Sequence, residues 1–144
     1  MPRMHGFTLL ELLIAMTIAA ILAALAYPSF QGSLHKARRG DGVAALLHLQ
    51  MRQERWRSHH PRYAATLGEL GVAPQSGQRH YTVDITQAHA TGYVLVATAA
   101  GWQDNDLRCR ELRLEVAGGE QRRASFAADG QANTATDNRA CWGT

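Results

Sequence analysis

The chain has 144 residues, 46% of them hydrophobic, and sets 15 Lys and Arg against 12 Asp and Glu for a formal net charge of +3. So mild a balance is not by itself the mark of a nucleic-acid binder, and the length suits one globular domain beside whatever an apolar segment forms. Two cysteines, Cys109 and Cys141, are too few for a four-thiolate zinc site.

The first six residues carry Arg3 and stop at Gly6. Residues 7–27 then make an apolar run, about 31 Å long as a helix and long enough to cross a bilayer. Glu11 interrupts it one turn from its start. An ionised carboxylate at mid-span costs roughly 2.5–3.5 kcal/mol even on a lenient insertion scale, and less near the end. Arg3 favours a cytoplasmic N-terminus, with the rest of the chain outside. A cleaved secretory signal would explain the basic start and the triplet Ala24, Leu25, Ala26, but the run is long for one and holds a charge. A plain anchor explains the length and leaves Glu11 without a purpose.

The segment GFTLLELL, residues 6–13, resembles the processing site of the type IV pilins and related pseudopilins. The resemblance implies that residues 1–6 are a leader removed by prepilin peptidase. Cleavage falls between Gly6 and Phe7, and the new Phe7 amine is methylated. Glu11 takes the place of the family's assembly glutamate, whose partner is the amine of a neighbouring subunit. The physical chemistry agrees, since Glu11 is four residues from that amine and on the same helix face. Charges in an apolar bundle are tolerable when paired. The implied fold is α+β, a long N-terminal helix packed on a four-stranded antiparallel sheet. Its parts are a membrane and filament-core half at 7–28, an amphipathic half at 29–60 and a head at 61–144.

Pro28 removes a helix hydrogen bond and predicts a kink. The helical pattern resumes beyond it, with Phe30, Leu34, Ala37, Ala44, Leu47 and Met51 as an apolar stripe expected to face the head. Gly32, Gly40 and Gly42 weaken this half by about 1 kcal/mol each relative to alanine. The resemblance implies that a stretch after the proline can lose helicity in a filament, so residues 28–42, with these weak points, are expected to melt or extend on assembly. The helix should end near residues 58–60, before Pro61.

Residues 61–78 read as a loop with one helical turn at 66–70, and Tyr63, Leu67 and Leu70 turned inward. Alternation predicts strands at 80–86, 92–98, 107–116 and 122–127, an antiparallel meander within 79–127 with one face on the helix. Residues 101–106 read as a connection, and Gly118 and Gly119 as a turn. Residues 128–139 are polar, turn-rich and without a period.

An even cysteine count in an exported chain favours a Cys109–Cys141 disulfide, worth about 3–4 kcal/mol in the chain-entropy model. Free thiols or half a metal site are the alternatives. The resemblance favours the disulfide, which would bound a C-terminal region, 109–141, and pin the polar tail. The spacing of Tyr93 to Ala97, Cys109, Leu112, Leu114, Gly130 and Cys141 followed by Trp142 looks most like the PilE-type minor pilins. Type II secretion pseudopilins share the N-terminal motif. They usually carry calcium in the head and lack this disulfide. Asp104, Asp106, Asp129 and Asp137 have no calcium-loop spacing.

No cofactor, metal site or enzyme motif is expected. Adjacent His59 and His60 point apart on a helix, and no nucleophile elbow or phosphate loop occurs. Arg52, Arg55, Arg57, His59, His60 and Arg62 cluster about Trp56 and Tyr63. Arg122, Arg123 and Arg139 with Trp142 form a second basic-aromatic group, a candidate DNA contact, or else arginine stems lying over apolar surface. The resemblance implies other pilin subunits, prepilin peptidase and the inner-membrane assembly platform as partners, with membrane lipid before assembly and DNA as a further candidate. It places the chain first in the inner membrane, single-pass with a periplasmic head, and then in an extracellular pilus for adhesion, twitching motility or DNA uptake.

Overall fold

The computed structural model describes residues 7–143. The Gly6 side of the expected cleavage site lies outside them. The chain divides into two units, Met1–Leu34 and His35–Thr144. The division comes six residues later than the 28/29 boundary read from the sequence.

Helix α1, Leu9–Arg57, supplies all the described regular structure of the first unit and opens the second. It runs through Pro28 without interruption. Its side chains from Leu9 to Tyr27 are all exposed. It ends at Arg57, one residue short of the expected stretch, where the Arg57 guanidinium donates to the His60 carbonyl at 2.9 Å.

In the second unit α1 buries Gly42, Leu46, Leu49 and Gln53. This corrects the stripe read from the sequence. Leu47 is 37% and Met51 64% exposed, while Leu46 is sealed. Two adjoining faces of this helix carry apolar residues, and the burying face is interrupted by a glycine and a glutamine. Both interruptions are put to use. Gly42 lies against the Tyr81 ring. Gln53 imitates a backbone partner, donating to the Ala64 carbonyl and accepting from the Ala64 N–H, both at 2.8 Å.

The turn at 66–70 is α2, Leu67–Leu70. A capping box joins Thr66 to Glu69, and Gly71 closes the turn in the left-handed region at φ 63°. Tyr63 and Leu67 are half-buried against the core and Leu70 is buried.

The sheet is a meander in the order β1–β2–β3–β4, antiparallel throughout. The strands are β1 Tyr81–Ala88, β2 Gly92–Ala99, β3 Glu111–Ala117 and β4 Glu120–Phe126. Gly118 and Gly119, both at positive φ, form the β3–β4 hairpin turn. Tyr81, Val83, Ile85, Tyr93, Leu95, Leu112 and Leu114 share the face that packs on α1. β3 begins four residues later than alternation suggested. The residues ahead of it are drawn off by side-chain anchors. Gln103, in the 3-10 helix Gly101–Asn105, is fully buried, as is Cys109.

The polar tail contains a helix that the sequence reading missed, α3 Ala135–Trp142. The Thr134 hydroxyl oxygen accepts from the Asp137 N–H at 3.3 Å, and Gly143 closes the far end at φ 73°. These cap signals were visible, but eight residues alone do not hold a helix. Burial of Cys141 and Trp142 holds it.

Candidate functional site: the N-terminal motif and the basic surfaces

Thr8 is the N-cap of α1 and Glu11 its third helical residue. The Glu11 carboxylate accepts from the Thr8 N–H and hydroxyl, both at 2.9 Å. The Thr8 oxygen accepts in turn from the Glu11 N–H at 3.3 Å. This is a capping box, written in the sequence as Thr-x-x-Glu and passed over there. Glu11 therefore has a local task, satisfying donors that a helix start leaves open. The carboxylate remains at the exposed surface of the helix, as does Phe7.

Cys109 and Cys141 form a disulfide with Cα atoms 5.6 Å apart. It ties the segment before β3 to α3. Beneath it, Asp106 pairs with Arg39 through two bonds of 2.6 and 2.9 Å. Gln103 donates to Asp106 at 3.0 Å, to the Tyr81 hydroxyl at 3.3 Å and to the His35 carbonyl at 3.2 Å. Burial pushes the Tyr81 hydroxyl up to about 12.

Of the first basic cluster, several members are occupied. Arg62 binds the Glu69 carboxylate at 2.6 Å. That bond, with the backbone N–H of Ala65, holds Glu69 down at about 2. Arg57 donates to the carbonyls of His60 and Ala90. His60 stacks on Trp56 with ring centroids 3.7 Å apart, so one face of that indole is already covered. Arg52, Arg55 and His59 are exposed.

The second group is split. Arg122 and Arg123 are neighbours on β4 and so point to opposite faces. Arg123 lies opposite Leu114, on the core side, with its guanidinium 5.3 Å from the Trp142 ring. Trp142 is 5% exposed and its Nε1–H donates to the Ala124 carbonyl at 3.0 Å. It offers no open ring to a base, contrary to the role considered for it. Arg122 and Arg139 are exposed. Charges on this edge strand also discourage pairing with another sheet. Sequence reasoning passed over Trp102, which is 81% exposed. No periodicity marks a lone tryptophan in a connection.

Two family models match. Residues 1–27 fit the prokaryotic N-terminal methylation motif. Residues 28–113 fit the model described as type IV minor pilin ComP, DNA uptake sequence receptor. Among curated proteins the chain is similar to the type IV major pilin protein PilA of Myxococcus xanthus, 37% identical over 79 residues, which are 55% of this chain and 36% of that protein. It is also similar to the type II secretion system core protein G of Dickeya chrysanthemi, 32% identical over 70 residues, 49% of this chain and 46% of the relative. The corresponding protein of Pectobacterium carotovorum is 33% identical over 87 residues, 57% of this chain and 56% of the relative. The chain thus spans about a third to just over half the length of these relatives. With a methylation motif at its start and the minor-pilin model across most of the remainder, the chain belongs to the ComP family of type IV minor pilins.

Proposed function

We propose that this chain is a structural subunit of a type IV pilus, cut between Gly6 and Phe7 and methylated on Phe7. Before assembly it resides in the inner membrane through one span, residues 7–28, with Pro28 bending the rod and the head in the periplasm. Prepilin peptidase, the assembly platform and other pilin subunits are its partners. The observation that carries the reading is the capped start of α1, whose apolar stretch from Leu9 to Tyr27 is exposed throughout and holds a single carboxylate, Glu11, one turn from the expected cut. After cleavage that carboxylate neutralises the terminal amine of a neighbour, and register along the filament follows from the pair.

The capping box supplies a control. Mass spectrometry of sheared fibres should find the subunit beginning at Phe7. Glu11→Ala should lower its abundance in fibres roughly tenfold or more, the equivalent of about 1.4 kcal/mol, with membrane insertion intact. Thr8→Ala removes the cap alone, costs the helix end about 1 kcal/mol and should leave incorporation near normal. Equal behaviour of the two variants would reduce Glu11 to a capping residue.

A second reading is favoured by the description of the matching family as a DNA uptake sequence receptor. Exposed Arg52, Arg55, Arg122 and Arg139 would contact phosphates, giving binding that weakens steeply with salt. A mobility shift with the full chain in neutral detergent tests it. Arg122→Ala with Arg139→Ala should weaken the shift and lower its salt dependence, whereas Arg123→Ala should act on α3 packing. No shift at low salt ends this reading. The relatives in type II secretion keep a pseudopilin role in view, against which stands the match to a pilus family.

A further inference from the structure

Trp102, in the β2–β3 connection, is the most exposed large apolar side chain described in the second unit. The exposure is not that of a slack loop. The next residue, Gln103, is fully buried, and its amide is held by the His35 carbonyl, the Tyr81 hydroxyl and Asp106. The indole stands out from a fixed backbone, so little freedom is lost when its face is covered.

Arg79 is exposed and fixed as well. Among the described residues it alone, glycines aside, has positive φ, at 61°, a strained conformation of the kind that collects where ligands are held. Asp41 maintains it, accepting from the Ser76 hydroxyl and from the N–H groups of Gln78 and His80 on either side of Arg79. The two anchored residues leave the same end of the sheet. Tyr81 pairs with Ala99, and the Ala100 N–H donates to the His80 carbonyl at 2.9 Å. Arg79 flanks that last pair on one side and, beyond Gly101, Trp102 flanks it on the other. Arg38 lies one turn before Asp41 on the same face of α1. Among the described residues neither Arg38 nor Arg79 makes an ion pair. Asp104 is matched by Arg110 at 3.3 Å and Asp106 by Arg39. Two guanidiniums against Asp41 leave this end positive.

We infer that this end of the sheet is a nucleotide clamp, in which Trp102 stacks on a base while Arg79 and Arg38 hold the phosphates beside it. A flat ring beside surplus cations matches a ligand that joins a flat face to an anion, as a nucleotide does. The inference rests on the DNA reading above and adds to it the form of DNA that is held. Bases inside a duplex are already stacked on one another, so a lone ring reaches an unpaired base or the last pair of a duplex. The clamp therefore takes single strands and strand ends.

The test uses the full chain in neutral detergent at low salt. The probes are a single-stranded oligonucleotide, a strand of the same length built of abasic residues, a blunt-ended duplex and a closed circular duplex. The Trp102 signal is the fluorescence difference between the wild type and Trp102→Phe. The single strand and the blunt duplex should quench it, and the abasic strand and the closed circle should not. Trp102→Ala should weaken binding of the single strand about fivefold or more and leave the abasic strand unchanged. Arg79→Gly separates recognition from folding. Relief of the strained φ should raise its urea midpoint, while affinity for the single strand falls several-fold and the salt slope drops by about 1. Arg79→Gly binding like the wild type, equal affinity for intact and abasic strands, or a Trp102 that fibre neighbours cover and bound DNA does not quench overturns the clamp and leaves DNA contact standing. A chain that shifts none of the probes at low salt overturns both.

Discussion

A methyl group on Gly42 would stand 2.9 Å from the Tyr81 ring, and that ring cannot yield. Tyr81 is fully buried and its hydroxyl is bonded to Gln103. Beside it, Asp41 gathers the loop ahead of β1, accepting from the N–H groups of Gln78 and His80. Gly42, which looked like a weak place in the helix, is with Asp41 where the helix receives the sheet. Gly42→Ala should therefore lose about 1–3 kcal/mol to overpacking, partly offset by about 1 kcal/mol of helix propensity. Gly40→Ala meets nothing within 4 Å and should gain up to about 1 kcal/mol. Urea titrations of the two variants check the sign. Equal shifts would show that Tyr81 has room to move.

Helix α3 shows how little of an element propensity alone secures. Its eight residues are too few to persist in water. They persist because Cys141 is bonded to Cys109, Trp142 is buried, and Asn138 donates to the Arg123 carbonyl at 2.9 Å. Opening the 32-residue separation with Cys109→Ser and Cys141→Ser should cost about 3–4 kcal/mol. The loss should concentrate on α3. Trp142 fluorescence should shift red and the Asn138 amide should exchange fast, while β2 and β3 amides stay protected. A uniform loss across the sheet would contradict the local assignment. The strands were legible because their inward residues alternate, as in Leu112, Leu114 and Val116. The start of β3 was not, because Gln103 and Asp106 claim the chain ahead of it through side chains that carry no period.

At the scale of the whole molecule, α1 is one element serving two environments. From His35 onward it is committed to the head. Arg39 and Asp106 are 13% and 4% exposed, and separating such a pair strands a charge at a cost of about 3–5 kcal/mol. Loss of helix on assembly, expected from the sequence over residues 28–42, should therefore stop short of Arg39. In a fibre density map the chain should be helical from Arg39 to Arg57, with any extended stretch confined to 28–38. Extended chain at Gly40–Gly42 would mean that the head itself rearranges.

The sequence by itself determined the kind of molecule. A basic start, an apolar run with one carboxylate, a meander of alternating strands and two cysteines are local patterns, set by transfer energies and side-chain period. Tertiary structure alone decided which face of α1 meets the sheet, that Gly42 is a seat for Tyr81, that Trp142 is sealed, and that Trp102 stands out rigidly beside a buried Gln103. Each of these depends on atoms brought together from distant parts of the chain, and no periodicity along the chain encodes them.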